Sequence, residues 1–315
     1  MISRRTAILG GTALGLAGVI AACTAGPSYD ASEAARLYPP IGRFVTLPDG
    51  RKVHYWEQGS GQPLILVHGA SGNLRDWTFS IAPKLAKDFR VIAFDRPGFG
   101  YTDRDLVRGW DPAVQARTLY LASREIGVEQ PIIVGHSWGG ALALAWAIQY
   151  PDETRGVVPV SGVSMPYRGT AKVFRTLGLD GVVVSAYTNY MKRVAASGGI
   201  DRFVARVFRP MQPPEGYLDY VGAPLALRDD TLAANTADIQ FVNIALERMV
   251  QDYPTLKPRV SIIHGRQDFV SASHHAVPLA QLIPGARLNL LNGVGHMAHH
   301  ADSDAIRSAA LGMVA

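Results

Sequence analysis

The chain has 315 residues, of which 48% are hydrophobic and 18% are charged, so it is too apolar for a disordered protein. Glycine and proline, with 32 and 20 residues, are near average usage, which excludes collagen-like and low-complexity architectures. The net charge of +5 comes without any run of five Lys or Arg, so no nucleic-acid partner is expected, and the single cysteine excludes an intrachain disulfide.

The first residues have the pattern of an export signal. Residues 1–5 are short and basic, and residues 6–22 carry no charge. A basic start followed by a short, weakly apolar stretch predicts a secretory signal peptide over residues 1–22 rather than a membrane-spanning helix. The pair Arg4-Arg5 also suits twin-arginine export, so the sequence leaves the export route open.

A lipidation signal follows directly. Residues 20–23, Ile-Ala-Ala-Cys, resemble the bacterial lipoprotein box, which is cut just before the cysteine. Cleavage would leave an acylated Cys23 at the N-terminus, with residues 23–40 as a tether. The alternative is an idle thiol after an ordinary signal peptide. The resemblance implies an exported lipoprotein, anchored to a membrane on the periplasmic or extracytoplasmic face of the bacterial envelope.

From residue 41 onward, apolar runs alternate with helical segments. Residues 41–47 and 51–57 alternate in polarity around a Pro-Asp-Gly turn, which predicts a β-hairpin. Such alternation of strands and helices predicts an α/β fold with a mostly parallel sheet covered on both faces. The buried strands of that sheet are expected at residues 64–67, 90–94, 132–134, 157–160, 260–263 and 287–291.

Residues 162–235 interrupt this alternation. They contain no short apolar run at strand spacing, and their Gly and Pro breaks predict several helices. An insertion there would form a helical cap over the carboxyl ends of the strands, between core segments 41–161 and 236–315. Its apolar side chains indicate a pocket for an apolar group of small to medium size. The aromatic and methionine side chains of this predicted cap are Tyr167, Phe174, Tyr187, Tyr190, Phe203, Phe208, Met211, Tyr217 and Tyr220.

Residues 135–139, Gly-His-Ser-Trp-Gly, fit the pattern G-x-S-x-G. An apolar strand leads into the pattern and an Ala-rich helix leads out of it. That setting is the one a nucleophile elbow requires, because a sharp turn then exposes the hydroxyl of Ser137. The alternative is a Gly-rich turn with an idle serine.

These features resemble the α/β-hydrolase superfamily over residues 41–315. The resemblance implies an eight-stranded sheet with a cap after the sixth strand, and catalytic residues in the order Ser, acid, His. The other segments that carry it are residues 68–72 (His-Gly-Ala-Ser-Gly), 95–100 (Asp-Arg-Pro-Gly-Phe-Gly), 264–268 (His-Gly-Arg-Gln-Asp) and 293–296 (Gly-Val-Gly-His).

The family order implies a catalytic triad of Ser137, Asp268 and His296. A serine hydroxyl needs a base that takes its proton, and the base needs a carboxylate that fixes its tautomer. Asp268 follows a buried strand, whereas the alternative acid, Asp238, lies in a helical stretch ahead of that strand. The remaining histidine near the acid, His264, is expected to pack or to satisfy a backbone group.

Two further histidines follow the predicted base. His299 and His300 fall where the last helix should begin, and we interpret them as surface residues. A metal site formed by His296 with either of them is the alternative at helical spacing. The expected contact of His296 with the serine disfavours it, so neither a metal nor another cofactor is expected.

The tetrahedral oxyanion of acyl transfer needs preorganised donors. The backbone N–H of Trp138 and that of Ala70 are the expected donors, and the Ser71 hydroxyl is a further candidate. His68 and His136 flank this site, and both are expected at the substrate pocket together with Ser71.

A serine nucleophile implies acyl chemistry, unlike the Asp nucleophile of haloalkane dehalogenases and epoxide hydrolases. The expected partner is a small-molecule carboxylic ester or lactone. Carbon–carbon bond hydrolases share the triad but typically show H-G-G-G-P-G where residues 68–73 read His-Gly-Ala-Ser-Gly-Asn. Perhydrolases, and a lipid-anchored binding module without turnover, remain open. So do aminopeptidases that hold a substrate ammonium, for which the acidic candidates are Glu215, Asp219, Asp229 and Asp230.

Overall fold

The computed structural model of this chain describes residues 31–167, 189–193 and 197–314. The predicted signal peptide and Cys23 therefore lie outside the described residues, as do the cap residues Phe174 and Tyr187. The strands are β1 (Arg43–Thr46), β2 (Lys52–Gln58), β3 (Pro63–Val67), β4 (Arg90–Phe94), β5 (Ile132–His136), β6 (Gly156–Val160), β7 (Arg259–Gly265) and β8 (Arg287–Leu291).

Helices connect most of these strands, residues 189–193 are also helical, and two 3-10 turns lie at Pro151–Glu153 and Tyr253–Thr255. The helices are α1 (Ala31–Leu37), α2 (Arg75–Thr78), α3 (Ile81–Leu85), α4 (Pro112–Glu125), α5 (Trp138–Gln149), α6 (Gly199–Phe208), α7 (Tyr217–Val221), α8 (Ala223–Ala226), α9 (Asp229–Met249), α10 (Ala276–Leu282), α11 (Ala298–Ala301) and α12 (Ser303–Val314).

All eight strands form one sheet, in the order β1-β2-β4-β3-β5-β6-β7-β8. β1 and β2 form the predicted antiparallel hairpin, with Arg43 opposite Tyr55, and β2 is also antiparallel to β4. Every other neighbouring pair is parallel. The predicted α/β fold with a mostly parallel, eight-stranded sheet is confirmed.

The sheet separates two hydrophobic layers, because successive side chains of a strand point to opposite faces. In β3, Ile65 and Val67 belong to the layer that contains much of α5, whereas Leu64 and Leu66 belong to the other layer with Trp77 of α2. These five side chains are fully buried. Burial on both faces explains why the strand sequence is a continuous apolar run.

The long insertion lies between β6 and β7, as predicted, and contains α6 to α9. β6 and β7 nevertheless pair directly, with Gly156 opposite Arg259, so the insertion leaves the hydrogen-bond ladder intact. The predicted cap boundary at residue 235 falls inside α9, a single helix of 21 residues. The indole N–H of Trp138 donates to the carbonyl of Asp238 in that helix, at 3.2 Å. The insertion therefore contacts the segment that follows β5.

Among the described residues, no helix combines the length and the apolar character that crossing a bilayer requires.

Candidate active site

The candidate nucleophile Ser137 lies in the turn between β5 and α5. Its φ is 52° and its ψ is −119°, a conformation that is strained for a residue with a side chain. A Cβ at Gly135 would overlap the carbonyl oxygen of Gly139, and a Cβ at Gly139 would lie 2.6 Å from the carbonyl oxygen of Val67. Both glycines are thus required for the tight strand–turn–helix, and the predicted elbow is present.

The predicted triad residues meet at the carboxyl end of the sheet. Ser137 Oγ lies 2.9 Å from His296 Nε2, and His296 Nδ1 lies 2.9 and 3.0 Å from the two carboxylate oxygens of Asp268. The three side chains come from the loops after β5, β7 and β8, and each is buried. This is the arrangement in which a carboxylate orients an imidazole and the imidazole accepts a hydroxyl proton.

Asp268 has a second histidine partner that sequence reasoning missed. His264 Nε2 lies 3.0 Å from Asp268 Oδ2 and 2.7 Å from the carbonyl oxygen of Val270, and the Val270 N–H donates to Asp268 Oδ1 at 2.7 Å. Burial raises the pKa of Asp268, but the hydrogen bonds from His264 and His296 outweigh it and lower the pKa to about 2. The carboxylate is therefore ionised at neutral pH.

His264 does satisfy a backbone group, as we expected, but it also supports the acid. The four-residue spacing of His264 and Asp268 at the end of a buried strand was the signal that could have revealed this.

The expected oxyanion donors flank the nucleophile. Trp138 is the first residue of α5, where a backbone N–H has no partner inside the helix and points out of its positive end. The loop that contains Ala70 packs closely, since a Cβ at Gly69 would lie 2.9 Å from the Cβ of Ser137. Both predicted donor segments therefore border the serine.

Ser71 is tied to the long helix α9. Its backbone N–H donates to Asn235 Oδ1 at 2.8 Å, and Asn235 Nδ2 donates to the Ser71 hydroxyl at 3.0 Å. The hydroxyl that we considered as an oxyanion donor thus fixes the oxyanion loop to the insertion.

His68 needs a correction, because we expected it at the pocket. Its ring is fully buried, Nδ1 bonds to the carbonyl oxygen of Gly69 at 2.8 Å, and Nε2 accepts the backbone N–H of Arg96 at 2.9 Å. Burial, with help from the nearby Arg96 charge, lowers the pKa of His68 to about 4. The neutral ring joins the loop after β3 to the loop after β4 inside the protein.

The expectation for His136 needs the same correction. The ring is 4% exposed, and Nε2 donates to the backbone carbonyl of His296 at 3.0 Å. Burial and the nearby rings of His299 and His296 hold the pKa of His136 well below its usual range. His136 therefore connects the elbow to the loop of the candidate base, rather than facing a substrate.

We predicted that His299 and His300 are surface residues, and this prediction is wrong. Both side chains are almost completely buried, because Asp76 of α2 accepts a hydrogen bond from each ring. The carboxylate offsets the cost of burying two imidazoles. Within the described residues, Asp76, His136 and His299 also place one potential metal-ligand atom each within 4.8 Å of one another.

The alternative acid, Asp238, is excluded by its partners. It is fully buried in α9 and forms ion pairs with Arg96 at 2.9 Å and Arg104 at 2.6 Å. The Arg96 guanidinium also lies 4.0 Å from the centre of the Trp138 ring. Asp238 thus fixes the insertion to the core, and Asp268 is the acid that contacts His296.

Comparison with known proteins identifies the protein family to which the chain belongs. Residues 62–302 match the family described as the alpha/beta hydrolase fold, and the chain belongs to this family.

Particular relatives include hydrolases of two kinds. The chain is 28% identical over 268 residues to the 2-hydroxy-6-oxo-2,4-heptadienoate hydrolase of Pseudomonas putida, covering 81% of this chain and 90% of the relative. It is 29% identical over 278 residues to a 2-hydroxymuconate semialdehyde hydrolase of a Pseudomonas species, covering 84% and 90%. Among solved structures, a thermophilic esterase from Thermogutta terrifontis superposes with a TM-score of 0.67 at 19% identity, over 86% of this chain and 99% of the esterase.

Proposed function

We propose that this hydrolase cleaves a carboxylic ester or a lactone through an acyl-enzyme on Ser137. The observation that carries the proposal is the 2.9 Å contact between Ser137 Oγ and His296 Nε2, with Asp268 on the other ring nitrogen. A hydroxyl becomes an effective nucleophile when a base is positioned to take its proton. Oxygen attack on a carbonyl carbon is the chemistry that follows from such a pair.

The proposed reaction has two halves. His296 takes the hydroxyl proton while Ser137 Oγ bonds to the carbonyl carbon, and the backbone N–H groups of Trp138 and Ala70 stabilise the oxyanion. The carbon–oxygen bond of the ester then breaks, and the leaving alcohol receives the proton from His296. In the second half, water gives a proton to His296 and bonds to the acyl carbon. The bond between that carbon and Ser137 Oγ then breaks, Oγ takes the proton back from His296, and the acid is released. The ionised Asp268 stabilises the imidazolium in both halves.

The surroundings of His296 favour an apolar substrate. The ring of Phe269 lies 4.7 Å from the His296 ring, measured between centroids, and Phe269 is 66% exposed. Apolar side chains next to the reacting groups favour an acyl or alcohol group of small to medium size.

The test is the hydrolysis of p-nitrophenyl butyrate by purified residues 24–315 and by the Ser137→Ala variant. The variant is expected to lose at least about a thousandfold in kcat. Ser161→Ala is the matched control, since Ser161 is also buried, also has a positive φ of 46° and also follows a central strand. Equal rates for wild type and Ser137→Ala would refute the proposal.

A carbon–carbon bond hydrolase is the second candidate, because the two Pseudomonas relatives carry names of that kind. Against it, the loop at residues 68–73 lacks the H-G-G-G-P-G pattern typical of such enzymes. Assaying 2-hydroxy-6-oxo-2,4-heptadienoate beside p-nitrophenyl butyrate separates the two. A kcat/KM at least tenfold higher for the dienoate would replace the ester proposal with this one.

We also propose that the mature protein is a lipoprotein, acylated on Cys23 and held at a membrane of the bacterial envelope. The support is the sequence pattern alone: a basic start, an uncharged stretch and the chain's single cysteine at its end. Cys23→Ala is expected to move the expressed protein from the membrane fraction to the soluble fraction, whereas Thr24→Ala is not. Unchanged partitioning of Cys23→Ala would refute lipidation.

A further inference from the structure

A buried carboxylate outside the triad gathers three hydrogen-bond donors. Asp76 of α2 is 6% exposed. Its Oδ1 accepts the Tyr217 hydroxyl and His300 Nε2, each at 2.8 Å, and its Oδ2 accepts His299 Nε2 at 2.9 Å. No step of the proposed reaction uses this carboxylate, so its presence in the interior needs another explanation.

The three donors come from two segments that border the catalytic histidine. Tyr217 belongs to α7 of the insertion, whereas His299 and His300 belong to α11, the short helix after His296. One carboxylate thus joins the core helix α2, the cap and the segment that continues from the base.

The same network reaches the backbone of His296 itself. The His299 ring, held by Asp76, lies 4.0 Å from the His136 ring, measured between centroids. His136 Nε2 in turn donates to the carbonyl oxygen of His296 at 3.0 Å. A shift of His299 would therefore press on the ring that fixes the base relative to the serine.

The charge of Asp76 is stabilised by these donors. Burial raises the pKa of Asp76, but the interactions with His299 and His300 outweigh it and hold the pKa well below its usual range. Burial has the opposite effect on an imidazole, and it lowers the pKa of His299 to about 4. At neutral pH the Asp76 carboxylate is an anion that accepts three hydrogen bonds, which is a geometrically specific arrangement.

We propose that Asp76 is a positioning residue that holds the His296 loop against Ser137 and ties the cap to it through Tyr217. The inference rests on the proposed serine hydrolase function and adds a residue to it. Misplacing a reacting group by about 1 Å can cost a hundredfold in rate, so a tie of this kind has a direct kinetic effect.

Metal binding is the other use of this cluster, and the contacts disfavour it. Both oxygens of Asp76 already accept protein donors, one from His299 and the other from Tyr217 and His300. An ion would have to displace these bonds.

The test measures how fast a fluorophosphonate labels Ser137, because this reaction needs the serine–histidine pair but no bound substrate. Asp76→Asn is expected to slow labelling and to lower kcat for p-nitrophenyl butyrate by about tenfold or more, with KM changed less than twofold. Asp111→Asn is the matched control. Asp111 is a fully buried carboxylate at the start of α4 that bonds Arg108, Arg248 and a backbone N–H but not the triad.

A second variant tests the link to the cap. Tyr217→Phe removes one donor, and it is expected to slow labelling in the wild-type background but to have no further effect in Asp76→Asn, since the two residues act through one bond.

The outcomes separate the two proposals. Wild-type protein that is not labelled would overturn the proposed function and the positioning role together. Labelling that is equally fast in wild type and Asp76→Asn, or equally slowed in Asp76→Asn and Asp111→Asn, would overturn the positioning role alone. Stoichiometric zinc binding that Asp76→Asn abolishes would overturn it in favour of a metal site.

Discussion

Acidification is expected to destabilise this fold before its carboxylates are protonated. His68, His275 and His299 are fully buried, and burial lowers the pKa of His68 and His299 to about 4 and that of His275 to about 3. An unfolded chain protonates these rings near pH 6.5, whereas the folded protein does so only near pH 4 or below. Between these values the unfolded state binds more protons, so the free energy of unfolding falls as the pH falls.

The expected loss is large relative to the stability of a domain. Each ring costs about 1.4 kcal/mol of unfolding free energy per pH unit once the unfolded form is protonated. Lowering the pH from 6.5 to 4 therefore costs about 3 kcal/mol for each of the three rings, or about 9 kcal/mol together. The free energy of unfolding of a typical domain is about 5–15 kcal/mol, so unfolding is expected between about pH 5 and pH 4.

Urea unfolding monitored by tryptophan fluorescence at pH 7.5, 6.5, 5.5 and 5.0 measures this slope. His299→Gln retains an N–H donor for Asp76 without a titrating ring, and it is expected to reduce the slope by the contribution of one ring, about 1.4 kcal/mol per pH unit. Asp76 and Asp268 have lowered pKa values, so the stability they contribute is present above about pH 4 and is lost only below it. An unfolding free energy that is constant from pH 7.5 to 5.0 would refute the reasoning.

Three further predictions concern the site. Gly139→Ala places a Cβ 2.6 Å from the carbonyl oxygens of Val67 and His68, so both the urea midpoint and the ester hydrolysis rate should fall; wild-type values for both would contradict this. His264→Phe removes a donor from Asp268 and raises its pKa, so kcat should fall about tenfold; an unchanged kcat would argue against a role for this bond. For p-nitrophenyl esters from acetate to decanoate, kcat/KM should pass through a maximum, and equal values would contradict an apolar pocket.

The fold and the triad could be predicted because their signals are local. Most of the parallel strands are short apolar runs, and Ser137, Asp268 and His296 each follow a strand within a few residues. The carboxyl ends of parallel strands lie at one edge, so the topology places these residues near one another, and the family order of Ser, acid and His selected them.

The residues that we misjudged depend on partners far away in the chain. His299 and His300 lie 223 and 224 positions from Asp76, and nothing near them in the sequence announces a buried carboxylate. We correctly predicted that His68 and His136 lie near the elbow, but we wrongly expected their rings to face the substrate pocket. Side-chain direction follows from tertiary hydrogen bonds, here to backbone groups of Gly69, Arg96 and His296.

The direct pairing of β6 with β7 affects how an enzyme of this fold can acquire a new substrate specificity. All three residues of the candidate triad lie outside the segment inserted between these strands, and the ladder closes beneath that segment. Replacement of the segment by another of different length would thus leave the reacting groups on the same framework. The stretch of the gene that encodes the insertion is thus separate from those that encode the triad, and the two parts contact each other where Asn235, Asp238 and Tyr217 bond to the core.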